Sequence, residues 1–420
     1  MGKKTNKKSV HKLPTVRERL EVTVDSVAFG GSGVSRVREL VIFIPFAVDE
    51  DKVEIEITEV RRSYARGRIC RMLKPSPFRT VPECVHYERC GGCQYQHIDY
   101  AHQLEIKRNQ VIEAFERIGG LPGAPVREVM PSPLPYAYRG KAEFHLRLKP
   151  GRPPLIGYKE ASESRIVKVS RCEIVDASIN RSLVDLQEKL QTISMNRRGV
   201  KREERVVLWS DTGESKPIET DVSSGRNGRV IRQVKGKELR VPAQGFFQAN
   251  VALVDAMVDS VLRACALGGN ETVLDAYCGS GLFSLFLATH AKRLFGVDVD
   301  EEAIRCACEN LQQEGLSNTE FFAGDVAEIL KKILQERHQP VNVAVLDPPR
   351  IGCSPEVLGG LLRLGPDRIV YISCNPATQA RDIRYLLDGG YILKELQPLD
   401  MFPQTKHIEV IGLLEQTEML

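Results

Sequence analysis

Cys374, in "YISCNPATQARD", sits where an apolar run stops, between a serine and an Asn-Pro pair. A free thiol at such a corner is either buried filler or a nucleophile, and as a nucleophile it needs a polar or cationic setting to ionise, because an ordinary cysteine has a pKa near about 8.5. One acceptor chemistry calls for such a thiol. The C5 carbon of a pyrimidine is a poor nucleophile, but a thiolate added at C6 turns the ring into an enolate whose C5 can attack a methyl donor in line. A base must then take the C5 proton before the thiolate is expelled, so thiol and base have to flank one ring. Glu409 in "KHIEVIGLL" is the candidate base, since a charge interrupting an apolar strand is costly unless it lines a cleft. His407 is its competitor. Among the other cysteines, Cys265, Cys306 and Cys308 fall in helical patterns as fillers, whereas Cys278 and Cys353 lie near other motifs and are rivals to Cys374.

A second group of residues could hold a methyl donor. "VLDAYCGSGLFSL" puts Asp275, Tyr277, Gly279 and Gly281 between a strand and a helix, where glycines let backbone approach a ligand. Asp298 ends the next strand, placed to accept hydrogen bonds from ribose hydroxyls. The turn lacks the third glycine of a dinucleotide fingerprint and so favours S-adenosylmethionine (SAM), which has no pyrophosphate to seat. Asp325 follows the third strand, where it could meet an adenine or simply cap a helix. "LDPPR" closes the fourth strand with Asp347; Arg350 fills the slot that an aromatic occupies in amino-directed DNA methyltransferases, which disfavours an exocyclic-amine acceptor.

A third constellation is "CVHYERCGGCQYQ". Cys84, Cys90 and Cys93 stand in a C-x5-C-x2-C spacing one ligand short of a tetrahedral or cubane site, and Cys172 in "SRCEIVD" is the natural fourth. Thiolate count alone leaves zinc and an iron-sulfur cluster equally open. His86 and His97 are bystanders. Eleven cysteines with no apolar leader segment argue for reduced thiols, a metal site or catalysis rather than disulfides.

These groups need elements to carry them. From residue 246 a helix, "NVALVDAMVDSVLRAC", precedes short buried strands alternating with helices: "TVLDAY", "RLFGVDV", "TEFFAGD", "VNVAVLDPP", "RIVYISC", "YILKELQPLD" and "HIEVIGLLE". Seven strands ending in a hairpin predict a Rossmann-like methyltransferase sheet rather than a nicotinamide dehydrogenase. Residues 19–73 alternate in short runs broken by "GGSG" and "DEDK", which predicts a small antiparallel OB-like barrel. Residues 100–118 predict an amphipathic helix, and 126–242 a β-rich middle module with turns at "PGRPPLIG", "DTGES" and "SSGRNGR". The expected division is a multi-domain α/β chain: barrel 14–74, cysteine-bearing linker and middle module 75–245, catalytic domain 246–420.

Charge is segregated along this plan. Residues 1–80 carry 17 Lys/Arg against 10 Asp/Glu and residues 139–240 carry 23 against 14, while residues 251–420 carry 14 against 24. The basic blocks suit a polyanion and the acidic block a small-molecule site. Residues 60–80 hold seven basic residues and no acidic one, with Tyr64 among them, as a single-stranded or loop RNA surface would. No apolar run approaches the roughly 18 residues of a membrane span, so a cytoplasmic protein with no membrane partner is expected.

Taken in order, "FFQAN", "DAYCGSGLFSL", "LDPPR", "YISCNPATQARD" and "HIEV" resemble the bacterial RNA uracil-5-methyltransferases, and the N-terminal barrel is similar to the TRAM domain of their ribosomal branch. The resemblance implies 5-methyluridine formation in RNA, with Cys374 as nucleophile and Glu409 as proton acceptor. It places SAM contacts on Gln248, Tyr277, Gly279, Gly281, Leu282, Asp298, Asp325 and Asp347; leucine at 282 departs from the asparagine of several relatives. It implies that Phe246 stacks on an extruded uracil, and it decides for a [4Fe-4S] cluster on Cys84, Cys90, Cys93 and Cys172. Ribosomal RNA is the favoured partner and a monomer the expected state. The alternatives are a tRNA enzyme of the same chemistry and a catalytically idle RNA-binding protein.

Overall fold

The computed structural model describes residues 13–149, 152–161, 165–194, 202–210, 228–336 and 340–417. The lysine-rich start, the "DTGES" turn and most of "SSGRNGR" lie outside these residues.

Six strands form the N-terminal sheet: β1 (Arg19–Thr23), β2 (Ser26–Val27), β3 (Ser32–Val37), β4 (Leu40–Pro45), β5 (Lys52–Val60) and β6 (Tyr64–Lys74), in the order β1-β5-β6-β4-β3-β2. Alternation turns Ile42, Ile44, Val53, Ile55 and Ile57 into one apolar core. Two features differ from the expectation. β4 and β6 run parallel, so the sheet is not wholly antiparallel. The "GGSG" break hides β3, because only Gly30 and Gly31 are left-handed (φ 112° and 90°) and the strand resumes at Ser32.

The basic run after residue 60 is also not a free cationic face. Arg61 and Arg66 pair with Glu59, Arg68 with Glu56, and Arg71 with Glu54, all on the neighbouring β5. Arg79 pairs with the fully buried Asp51 at 2.7 Å. The alternation that builds β5 puts its glutamates on the outer face, and antiparallel register sets them beside the arginines of β6.

α1 (Tyr100–Arg117) begins at Asp99, whose side chain accepts from the Ala101 amide, and sends Val111 and Phe115 into the catalytic core. Beyond it, Val126 and Met130 bridge in parallel to Leu396 and Leu399. The stretch expected as a linker is therefore a buttress on the catalytic layer. The middle module is an antiparallel sheet of β7 (Lys141–Leu148), β8 (Leu155–Lys159), β9 (Ile166–Lys168) and β10 (Arg202–Trp209), in the order β10-β7-β8-β9. Its helix α2 (Ala177–Ser194) packs Ile179 and Leu183 on Phe144 and Ile156.

A hairpin, β11 (Arg229–Val234) and β12 (Lys237–Pro242), follows. Its Val230, Val234, Leu239 and Val241 share a core with Val258 and Val261 of α3 (Val254–Cys265). A boundary at 246 cuts through that core, so we propose dividing the chain ahead of residue 229 instead.

The catalytic sheet holds β13 (Thr272–Ala276), β14 (Arg293–Asp298), β15 (Thr319–Ala323), β16 (Val343–Leu346), β17 (Arg368–Ser373), β18 (Tyr391–Leu399) and β19 (Glu409–Gln416). Their order is β15-β14-β13-β16-β17-β19-β18, with β19 antiparallel to both neighbours. Crossovers through α4 (Leu282–Leu287), α5 (Glu301–Gln313), α6 (Val326–Glu336), α7 (Pro355–Leu364) and α8 (Pro376–Asp388) make the rest parallel. Strand order reverses between β13 and β16, which opens the ligand crevice at their carboxyl ends. Among the described residues no helix is long and apolar enough to cross a membrane.

Candidate active site

The expected donor residues converge on the carboxyl ends of β13, β14 and β16. β13 is buried along its whole length, and the chain then turns through three left-handed residues, Tyr277 (φ 65°), Gly279 (φ 53°) and Gly281 (φ 81°). A Cβ on Gly279 would face open space, while one on Gly281 would lie 3.1 Å from Ala307 Cβ, so the second glycine is also a packing requirement. The Gly279 amide donates to Asp298 Oδ2 at 2.8 Å and the Asp300 amide to Oδ1 at 2.9 Å, fixing that carboxylate at the crevice edge. Asp300, not Asp298, caps α5. Val299 beside it is 75% exposed, an aliphatic surface next to a carboxylate that sequence reading passed over.

Asp325 does cap its helix: its Oδ1 accepts from the Ala327 and Glu328 amides at 2.9 and 3.2 Å, so at most its second oxygen is left for a ligand. Leu282 is buried in the apolar core and can offer a ligand only its backbone. Gln248 is buried beside the core residue Phe247, while Phe246 is 75% exposed with its ring unpacked. An aromatic left this open is unlike an ordinary core phenylalanine.

This half of the crevice is acidic. Asp275 accepts from Ser284 Oγ at 2.5 Å, and its other oxygen is buried with no partner. Burial chiefly, with Asp298 adding, raises Asp275 to about 7. The low-dielectric cleft and then Asp275 and Asp298 raise Asp347 to about 7 as well.

The other half forms where β17 and β19 meet. Ser373 pairs with Val410, so Cys374 and Glu409 flank the same end of that ladder. Glu409 is 4% exposed, and burial first, then Asp347, push its carboxyl well above the usual range, with Arg350 opposing. Cys374 is half-buried. Burial and then Glu409 push its thiol up to about 11, against which Arg350 acts both as a charge and as a hydrogen-bond donor. Arg350 supplies the cation that a nucleophilic thiol calls for, with burial acting against it.

The local sequence explains how Arg350 is held. Asn375 caps α8, accepting from the Ala377 amide, and its Nδ2 donates to Arg350 O at 3.0 Å; Thr378 Oγ1 donates to the same carbonyl at 3.2 Å. "SCNPAT" therefore aims the thiol and pins the "DPPR" loop together. Arg350 Nη2 lies 3.5 Å from His407 Nδ1. Burial, then Arg350, Lys406, Lys107 and Arg139, drive His407 down to about 3, too weak a base to compete with Glu409. Arg139 and Lys406 are site cations that the sequence left without a role, and Arg350 entered only as the residue in the aromatic slot; Lys406, three residues before Glu409 in "KHIE", was the available signal.

Cys278 and Cys353, the rival thiols, are both buried; Cys278 is pushed far up by burial and Cys353 to about 12. Cys306 is buried and Cys308 exposed on α5, as fillers.

Cys84, Cys90, Cys93 and Cys172 line one cavity of about 340 Å³, together with Arg350, Phe402 and His407. Gly91 is required there, since a Cβ would come 3.3 Å from Ala161 Cα and Lys159 O, where the hairpin bridges to the end of β8. Among the described residues no group of three or more His, Cys, Asp or Glu side chains is arranged to hold a metal ion.

Residues 229–417 match the family model described as tRNA (Uracil-5-)-methyltransferase, and residues 14–70 match the TRAM domain. An uncharacterized RNA methyltransferase of Halalkalibacterium halodurans is 32% identical over 94% of this chain and 96% of its own length. One of Nostoc sp. is 33% identical over 94% and 96%. A solved Pyrococcus abyssi tRNA (uracil-54, C5)-methyltransferase, in complex with S-adenosyl-L-homocysteine, superposes with a TM-score of 0.71 at 23% identity, covering 94% of this chain and 100% of that one. That likeness establishes the fold.

Proposed function

The chain belongs to the RNA uracil-5-methyltransferase family, with a TRAM domain ahead of the catalytic sheet, and we propose that it forms 5-methyluridine in RNA with SAM as methyl donor. The observation that carries the reading is the meeting of Cys374 and Glu409 at one end of the β17–β19 ladder, with Asp347 and Arg350 acting on both.

Bound in the glycine turn, SAM would supply an electrophilic sulfonium methyl. Asp298 would hold the ribose, with Gly279, Gly281, Tyr277, Gln248, Asp325 and Asp347 around the rest. An uridine extruded from its RNA would stack on Phe246. Cys374 releases its proton to solvent and bonds to C6 as a thiolate, which Arg350 stabilises, while the C5–C6 double-bond pair shifts to form the enolate whose C5 takes the methyl and leaves S-adenosylhomocysteine. After C5 has taken the methyl, Glu409 removes the C5 proton; the C5–C6 double bond re-forms and the C6–S bond breaks, returning Cys374. A base with a raised pKa suits this step, because once ionised it binds a proton strongly.

On the shared lining of one cavity, a [4Fe-4S] cluster is the occupant we propose, which Cys84, Cys90, Cys93 and Cys172 would hold. There it would clamp the hairpin to the middle module.

Cys374→Ala should lower methyl transfer to RNA by at least about 10³-fold. Glu409→Gln should accumulate a covalent protein–RNA adduct that runs slowly on a denaturing gel; an adduct-free gel would remove Glu409 from the role.

Ribosomal RNA is our first choice of target, on the barrel together with the cysteine hairpin. A tRNA target is the second reading, favoured by one observation: a solved enzyme described for tRNA uracil-54 covers 94% of this chain. Mapping 5-methyluridine in both RNAs, with and without the gene, separates them.

A further inference from the structure

Glu409 reaches the cleft at the end of a strap, residues 400–408, that joins β18 to β19 without forming helix or strand. Irregular backbone is normally placed by its neighbours in sequence. Here the contacts come from the other end of the chain. Lys107 of α1, fully buried, donates to Asp400 Oδ1 at 2.6 Å and to Phe402 O at 3.1 Å. Tyr138 Oη donates to Pro403 O at 3.0 Å.

Gln404 is the centre of this system. It is left-handed at φ 66°, a conformation unfavourable for a non-glycine residue that persists only where the surroundings over-determine it. They do so here. The Gln94 and Tyr95 amides both donate to Gln404 O, at 3.1 and 3.0 Å. Gln103 Nε2 donates to Gln404 Oε1 at 2.9 Å, and the Gln404 amide donates back to Gln103 Oε1 at 3.0 Å. One turn on, the Lys406 amide donates to Gln94 Oε1 at 3.2 Å.

Gln94 and Tyr95 directly follow Cys93. Gln94 Nε2 also donates to Gly91 O at 2.9 Å, and Gln96 Oε1 accepts from the Cys84 amide at 3.1 Å. The cysteine hairpin and the strap are therefore one hydrogen-bonded unit, and the cavity lined by the four thiols is also lined by Phe402, Thr405 and His407 of the strap.

We propose that Gln103, Lys107 and Gln404 are positioning residues for the proton acceptor, and that the cysteine hairpin, set by its thiols, holds the strap so that Glu409 faces Cys374. The state of the cysteine site is thereby felt at proton removal. This rests on the assignment of Glu409 as acceptor. Cys374 and the glycine turn stand on other elements, so a loosened strap leaves thiol addition and methyl transfer intact and slows only the last step. In that step the C5 proton passes to Glu409, its bonding pair re-forms the C5–C6 bond, and the sulfur departs with the C6–S pair.

Two measurements on the full-length protein test it. Gln103→Met keeps the shape of the side chain but removes both of its bonds to Gln404. With tritiated-methyl SAM and bulk RNA from a strain lacking the modification, it should hold at least about ten times the wild-type level of methyl-bearing adduct on a denaturing gel, with SAM affinity unchanged. A merely structural weakening would lower adduct and product together, and wild-type adduct levels with normal turnover would equally overturn the proposal. In the second, amide hydrogen exchange is compared between the wild type and Cys93→Ser. Residues 400–408 should exchange at least about tenfold faster in the variant, with 368–373 of β17 unchanged; equal rates at 400–408 would refute the coupling. Because this readout does not involve Glu409 chemistry, it separates failure of the strap from failure of the acceptor assignment.

Discussion

The two halves of the crevice carry opposite charge. Around the glycine turn stand Asp275, Asp298, Asp325 and Asp347, with Asp275 and Asp347 raised to about 7. Around the mouth beside Cys374 stand Arg350, Lys406 and Arg139, which together with burial hold His407 down at about 3. In the proposed reaction each half would complement what it holds, the acidic half a sulfonium and the basic half the phosphates of RNA. Cys374 and Glu409 occupy the seam, where the two fields pull against each other. Asp347 raises Glu409 and Arg350 lowers it; Glu409 raises Cys374 and Arg350 lowers it. In the proposed reaction their reactivity would be tuned by the difference between the halves.

The largest way to break that balance is Arg350→Ala. Without the cation both seam groups rise further, and the thiolate becomes rarer at neutral pH. A cation at this range shifts a pKa by roughly one to three units, so turnover at pH 7 should fall by about 100-fold. The sign of the pH dependence follows from the thiol near 11: single-turnover rates of wild type and variant should climb in parallel between pH 6 and 9, the gap closing only as pH nears the wild-type thiol value. A wild-type rate that stays flat over that window would mean that thiol ionisation does not govern the step and that Arg350 serves RNA binding alone.

Asp298→Asn probes the acidic half. It removes charge-assisted bonds worth about 1.5–3 kcal/mol, so the SAM dissociation constant should rise by roughly 10- to 100-fold while RNA affinity stays put. Calorimetry with each ligand separately checks this. Lys406→Ala should do the reverse on a smaller scale: RNA affinity falls a few-fold and the slope of log K against log salt drops by about 0.7 to 0.9, with SAM unaffected.

The acidic half was legible from sequence because its parts are local. Asp275, the glycine turn and Asp298 lie within one βαβ unit, where spacing fixes geometry. Cys374 was legible for the same reason, as the end of a strand followed by a capping asparagine. The basic half was not. Arg139, Lys107 and Gln103 reach the site from segments that spacing assigned to a linker and a middle module, and pairings such as Gln103 with Gln404 span 301 positions. The packing of the hairpin at 229–242, on which our proposed boundary rests, was hidden likewise, since nothing local shows that its apolar face packs on α3. In the barrel, counting seven basic residues missed the partners of Arg66, Arg68 and Arg71, because the glutamates of β5 meet them only through strand register. Exposed pairs of this kind contribute about 0–1 kcal/mol each, so their arginines can exchange glutamate for phosphate at little cost.

The smallest effect is a stability signature confined to the acidic half. Asp275 is fully buried with one unpartnered oxygen, and its pKa rises from 3.8 to about 7 on folding. A carboxyl raised in this way favours the folded state fully below its unfolded value. That advantage is lost as pH climbs through about 7, where folding must carry a buried charge. Asp347, raised to a similar value, adds to the same slope. The melting temperature should therefore drop by about 2–4 °C per kcal/mol lost between pH 4 and pH 8. Asp275→Asn keeps an oxygen for Ser284 Oγ and cannot ionise, so it should flatten that slope by roughly half, leaving Asp347 to account for the rest. SAM should flatten it too, by supplying the positive charge that the ionised pair lacks. If neither the substitution nor SAM changes the slope, the acidic half is already neutralised from within, and the contrast between the two halves does not set the chemistry at their seam.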